Sequence, residues 1–250
     1  MWIQGYTRLT LQDYPGKIAA MCFTGGCQLR CPYCHNPDLA LAMTKNGNED
    51  TENVALSFLA YIEKRKSLLD GIVVSGGEPL LHNLQGFLGK VKELGLSVKL
   101  DTNGLLPDQL KELIGAGLVD YVALDYKSSR ENFMEATGLS RFKKQATVNS
   151  YYDSWLLTLS YLRGNRVPYE LRTTLVKELH PLDILIRMAE SICRGASSRE
   201  LWFLQTFEKT GLLMNDYSKE KISLSAYSNK EMEVIGQKLK KIIPGVMLRR

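Results

Sequence analysis

Phe23-Thr24-Gly25-Gly26-Cys27-Gln28-Leu29-Arg30-Cys31-Pro32-Tyr33-Cys34-His35-Asn36-Pro37 places three of the chain's five cysteines within eight residues. The apolar run Ile18–Phe23 leads straight into it and predicts a strand. Glycine and proline then end that run, so the cysteines are expected on a loop, about residues 24–41, at the strand's carboxyl end. Outward from this loop the same unit recurs. Further strands are predicted at Gly71–Val74, Ser97–Leu100, Tyr121–Leu124, Tyr169–Leu175 and Leu201–Gln205. Helices are predicted at Glu52–Lys66, Asn83–Leu94, Pro107–Ala116, Ser150–Leu162, Pro181–Ile192 and Asn229–Lys241. Pro107 and Pro181 suit first helical turns, and Thr51 is placed to cap the helix after it.

Strand–helix alternation implies a parallel sheet with right-handed crossovers. Six such units are too few for the usual closed barrel of eight. The expected fold is therefore α/β, a partial (open) parallel (βα)6 barrel, formed by residues 1–250 as a single domain. In such folds the site lies at the carboxyl ends of the strands. The chemically suggestive residues of this chain do follow predicted strands.

Composition bounds the partners. The 250 residues are 44% hydrophobic and 24% charged, with a formal net charge of +5. That balance is ordinary for a globular protein, and no run of five like charges marks a nucleic-acid tail. The basic residues Arg141, Lys143 and Lys144 within Leu139–Val148 read as a solvated loop. No stretch approaches the roughly 18 apolar residues of a membrane span. No basic segment followed by an apolar run opens the chain, so a cytoplasmic location is expected, with neither membrane nor nucleic acid as partner.

Clustered cysteines in a reducing compartment point to metal or redox chemistry rather than disulfides. A 4Fe–4S cluster normally takes four cysteines. Three close ones, Cys27, Cys31 and Cys34, suggest a cluster with one iron left open for a substrate. A structural zinc site drawing on His35 and a dithiol pair of Cys31 and Cys34 are the alternatives. The first crowds adjacent ligands, and the second leaves Cys27 without a role. Cys22 and Cys193 read as small hydrophobes of the core.

The Cys-x3-Cys-x2-Cys spacing, with Tyr33 before its last cysteine, resembles the signature of the radical S-adenosylmethionine (SAM) superfamily, and Gly76-Gly77-Glu78 after the second strand matches its Gly-Gly-Glu motif. Gln12-Asp13-Tyr14-Pro15-Gly16, Tyr33-Cys34-His35-Asn36, Asp101-Thr102-Asn103-Gly104 and Leu124-Asp125-Tyr126-Lys127 resemble the glycyl-radical-enzyme activating proteins. With Leu204-Gln205-Thr206-Phe207, the whole is most similar to those that activate anaerobic ribonucleoside-triphosphate reductase. Some activases of other glycyl radical enzymes carry cysteine-rich cluster domains between the triad and Gly-Gly-Glu, whereas Pro37–Gly71 contains no cysteine.

The resemblance implies a cluster on Cys27, Cys31 and Cys34 whose open iron binds the methionine moiety of SAM. It implies reductive cleavage to a 5′-deoxyadenosyl radical, which takes hydrogen from a glycine of a partner enzyme. The implied electron donor is a flavodoxin or ferredoxin. Cofactor contacts are implied at Tyr33, His35, Gly76, Gly77, Glu78, Asp101, Asn103, Asp125, Lys127 and Arg172. Some relatives add a monovalent cation at the matching aspartates. On residue type alone, Gly76-Gly77-Glu78 also suits a plain turn, Asp101 a helix cap and Lys127 the surface. Arg172, a charge inside a strand, needs either a ligand carboxylate or an internal ion pair. His82 and His180 read as helix-entry residues, and Glu208 stands where some activases have a histidine. Activation of another glycyl radical enzyme, a small-molecule reaction and a non-catalytic binding module are the competing functions.

Overall fold

The computed structural model describes residues 3–42, 49–141, 144–195 and 200–249. Strand neighbours follow chain order from β1 to β8, and the order does not close on itself. The chain divides into two compact units, and the division falls inside one strand, β5 (Tyr121–Asp125).

The first unit comprises Met1–Gln28, Asp38–Thr102 and Leu106–Ala123. Its strands are β1 (Ile3–Thr10), β2 (Ala19–Thr24), β3 (Gly71–Gly76) and β4 (Ser97–Thr102). β2 runs parallel to β3 and β3 to β4, with Thr24 beside Gly76 in register. Val73 and Val74 of β3 and Val98 and Leu100 of β4 are all buried, the continuous apolar run of a parallel strand covered on both faces. The accompanying helices are α1 (Pro37–Leu41), α2 (Glu49–Arg65), α3 (Gln85–Glu93) and α4 (Pro107–Gly115). Phe58 and Ile62 of α2, Leu88 and Val91 of α3 and Leu110 of α4 are among their buried residues. Pro107 opens α4 as predicted, where its missing N–H costs nothing.

The second unit comprises Leu29–Pro37, Asn103–Leu105 and Leu124–Arg250. It holds the end of β5, then β6 (Tyr169–Leu175), β7 (Leu201–Thr206) and β8 (Val246–Arg249). Its helices are α5 (Phe133–Ala136), α6 (Gln145–Gly164), α7 (Leu182–Cys193) and α8 (Asn229–Lys240). Tyr126 stacks on Trp155 with ring centroids 4.3 Å apart and packs against Trp202. Ser228 and Glu231 form a reciprocal capping box at the start of α8.

All six predicted strands are present, as β2 to β7, and each is followed by a helix. The structure corrects several local expectations. Two edge strands, β1 and β8, lie outside the predicted set. Thr51 lies buried inside α2, which begins at Glu49, rather than preceding the helix. Pro181 stands one residue before α7 rather than in its first turn. Cys22 is buried in β2 as expected, but Cys193 ends α7 partly exposed, its thiol donating to Glu190 O at 3.0 Å. Lys143 of the basic stretch lies outside the described residues. No helix of the described residues is long and apolar enough to cross a membrane.

Candidate functional site

In the first unit the Gly-Gly-Glu turn is shaped by the chain itself. Gly76 has φ +123°, and a Cβ there would sit 2.3 Å from the backbone N and O of Thr24. A Cβ on Gly77 would sit 2.0 Å from Gly26 O. Gly77 N donates to Thr24 O at 2.9 Å and Glu78 N to Gly26 O at 2.7 Å. Glycine is therefore required here because two backbone segments touch. The consequence is functional all the same: this turn fixes the Thr24–Gly26 lead into Cys27. Glu78 is fully buried, and its Oε1 accepts from Thr102 Oγ1 at 2.7 Å and from Leu80 N at 3.1 Å. Asp101, also buried, pairs with Lys99 two residues earlier on β4. His82 Nε2 lies 2.7 Å from Gly25 O, so this histidine supports the loop rather than starting a helix.

In the second unit the loop carrying Cys31 and Cys34 is fastened from three sides. Cys34 N donates to Cys31 O at 2.9 Å, closing a turn over Pro32 and Tyr33. A 3-10 turn at Met214–Tyr217 donates from Met214 N to Cys34 O and from Asn215 N to Pro32 O, at 3.2 and 3.0 Å. Arg30 N donates to Thr137 O at 3.0 Å, and Gly138 has no room for a Cβ, which would meet Arg30 O at 2.0 Å. His35 is exposed, its ring 5.7 Å from that of Phe207. Asn103 is buried, with Oδ1 accepting from Leu105 N at 3.1 Å.

The carboxyl ends of β5 and β6 carry three charges. Asp125 Oδ2 accepts from Lys127 Nζ at 2.9 Å, and Oδ1 accepts from Arg172 Nη2 at 3.2 Å. Burial opposes ionisation of Asp125, yet the Lys127 and Arg172 cations outweigh it and hold its carboxyl below the usual range. Burial likewise opposes the charge on Lys127, and Asp125 beside it keeps the ammonium protonated well above its ordinary range. The trio carries one net positive charge. Arg172 thus has an internal ion pair.

His180, read from sequence as a helix-entry residue, is the buried residue that orders this region. Its Nδ1 accepts from Val176 N at 3.1 Å, and its Nε2 donates to Lys127 O at 2.8 Å. Both ring nitrogens are satisfied by backbone in the neutral form, and burial lowers its pKa from 6.5 to about 4. The ring meets buried Tyr33 edge-on, centroids 5.9 Å apart. One histidine therefore touches both the cysteine loop and the segment bearing Lys127.

The sequence profile of the Radical SAM superfamily matches residues 21–184, well over half of the chain. The chain belongs to the radical SAM superfamily. A Methanocaldococcus jannaschii protein, named provisionally as a glycyl-radical enzyme activating enzyme, is 31% identical over 250 residues, 99% of this chain and 95% of its own length. The pyruvate formate-lyase-activating enzyme of Staphylococcus aureus is 37% identical over 93 residues, covering 36% of this chain and 37% of that protein. Among solved structures, TYW1 with a lysine-pyruvate adduct aligns at TM-score 0.62 and 16% identity, over 89% of this chain and 73% of that one. anSMEcpe with bound AdoMet aligns at TM-score 0.50 and 16% identity, over 72% and 48%. These two likenesses show the fold alone.

A radical SAM protein implies a 4Fe–4S cluster and SAM, and the side chains present fit both. Burial pushes the Cys31 thiol up to about 11 and raises Cys34. Without a metal these thiols stay protonated; iron is the partner that makes buried thiolates stable. Among the described residues no three of His, Cys, Asp and Glu converge to chelate one metal ion. A cubane asks for a different arrangement, since each thiolate binds its own iron. For SAM, Thr206 Oγ1 at the carboxyl end of β7 is buried with no hydrogen-bond partner. A buried hydroxyl of that kind calls for a polar ligand atom. His180 and Lys99 have structural roles that their sequence context shows unequally. The partners of His180 lie up to 53 residues away, at Lys127 O. Lys99 gave a local signal: a lysine two positions from Asp101 in an apolar strand shares its face.

Proposed function

We propose that this chain is a radical SAM enzyme that activates a glycyl radical enzyme, and that its partner is an anaerobic ribonucleoside-triphosphate reductase. The observation that carries the reading is the cysteine loop, Cys27, Cys31 and Cys34 at the carboxyl end of β2, inside the region matched by the superfamily. The likeness to activating enzymes supports the glycyl radical partner, and the Gln12–Gly16 and Leu204–Phe207 stretches favour the reductase. Cys27, Cys31 and Cys34 hold the cluster. When bound, cluster and SAM together supply a 5′-deoxyadenosyl radical that takes a hydrogen atom from a glycine of the partner.

The chain's own residues bind, orient and shield. Lys127 and Arg172, tied through Asp125, present one net positive charge to the carboxylate of SAM. Glu78, held by Thr102 and Leu80, gives a fixed negative counterpart for its amino group. The Gly76-Gly77 backbone, Asp101, Asn103, Tyr33 and His35 complete the contacts. A buried Tyr33 excludes water beside the cysteines, which a carbon radical requires. A flavodoxin or ferredoxin supplies the electron.

Anaerobic electron paramagnetic resonance tests this directly. Reconstituted chain, SAM, reductant and the anaerobic reductase should give a glycyl radical doublet together with 5′-deoxyadenosine. Deoxyadenosine without the doublet would move the target to another glycyl radical enzyme or a small molecule. Neither product, from an intact reduced cluster, would end the radical reading.

A further inference from the structure

Asp101 already has a cation. Lys99 and Asp101 stand two apart on β4, so they share one face, and their side chains pair while only 1% and 7% exposed. A lysine is almost never this buried unless it is paired, and a buried carboxylate needs compensation too. Asp125 is compensated separately, by Lys127 at 2.9 Å and Arg172 at 3.2 Å. The resemblance read from sequence put a monovalent metal ion at these two aspartates in some relatives. The residues present do not fit such an ion: an added cation at Asp101 would face the Lys99 ammonium at close range and be repelled by it.

We propose that Lys99 is a built-in cation, its ammonium filling at Asp101 the place a monovalent metal ion would otherwise take, so that this chain binds no such ion there. An ammonium is a compact, strongly hydrated point charge, the closest side-chain counterpart of sodium or potassium. Tethered to the strand, it is present at every salt concentration, and the charge at this strand end becomes independent of the ions outside. The inference deepens the cofactor reading of β4's carboxyl end and rests on it for its meaning. Its test reads ion binding and stability without turnover, so loss of radical chemistry would leave the ion result standing, and the reverse.

The full chain, with and without reconstituted cluster, would be melted in tetramethylammonium, sodium and potassium chloride, each at about 150 mM, which equalises screening. Wild type should melt within about 1 °C in all three, because nothing specific binds. Lys99→Met should melt lower in tetramethylammonium and recover by about 4 °C or more, saturably, in sodium or potassium. The double variant Lys99→Met with Asp101→Asn removes both charges and should again be indifferent to the salt. A saturable rise of the wild type in either metal salt would overturn the proposal, whatever the variants do. So would a Lys99→Met chain that stays unresponsive, or unfolded in all three salts, while the double variant folds; the pair would then be an ordinary structural one.

Discussion

Cys31 and Lys127 show how single residues divide the work. Cys31 is buried and protonated without metal, so its replacement removes a ligand and leaves the surrounding packing almost intact. Cys31→Ala should fold, yet lose bound iron and sulfide and produce no 5′-deoxyadenosine from SAM. Full iron content with normal cleavage would refute the triad assignment. Lys127→Met separates cluster from cofactor. It lowers the net charge of the Lys127–Asp125–Arg172 trio from one to zero while Arg172 still holds Asp125 at 3.2 Å. Cluster content should stay normal, and SAM should bind roughly tenfold or more weakly by equilibrium dialysis, the worth of one charge-assisted contact. Unchanged SAM affinity would return Lys127 to the ion-pair role alone.

At the scale of elements, the strands that sequence reading found are those whose residues carry their own evidence. β2 to β5 and β7 are mostly apolar runs ended by Gly, Asp or Thr, and a parallel strand buried on both faces declares itself locally. β1 did not, because half its residues face solvent and its antiparallel place beside β2 depends on partners elsewhere in the chain. β8 is only four residues long. The glycines show the same limit in another form. The space around each glycine is not written in the sequence: a Cβ on Gly77 meets Gly26 O at 2.0 Å, while one on Gly89, within α3, meets nothing within 4 Å. Gly77→Ala should therefore cost about 2–4 kcal/mol in urea unfolding, as forced backbone displacement does. Gly89→Ala should instead stabilise by about 0.5–1 kcal/mol, the helix-propensity gain. Equal effects of the two would mean that the contact between the glycine turn and the cysteine lead-in is not tight in solution.

For the whole molecule, the triad and the Gly-Gly-Glu turn were legible, whereas the residues that hold them in place were not. His180 is the sharpest instance, and it ties global stability to pH. In the native chain it is boxed in by the Val176 N–H, the Lys127 carbonyl and the Tyr33 ring, and Tyr227 Oη donates to its backbone oxygen at 2.9 Å. Burial therefore lowers its pKa from 6.5 to about 4. The unfolded chain takes up this proton below about pH 6.5, but the folded chain does so only near pH 4. Stability must then fall as pH drops through that window and level off below it. Between pH 7.5 and 5.5 the expected loss is about 1 kcal/mol, from one unit of the window. Asp125, lowered from 3.8, gives up its contribution at lower pH, whereas His82, which burial also lowers from 6.5, adds a share within this interval. Urea midpoints of the full chain at the two pH values measure the effect, and His180→Gln should shrink the difference between them by about 1 kcal/mol. If that variant is as acid-sensitive as wild type, the proton is taken up elsewhere, and His180 is not the neutral strut between the cysteine loop and Lys127.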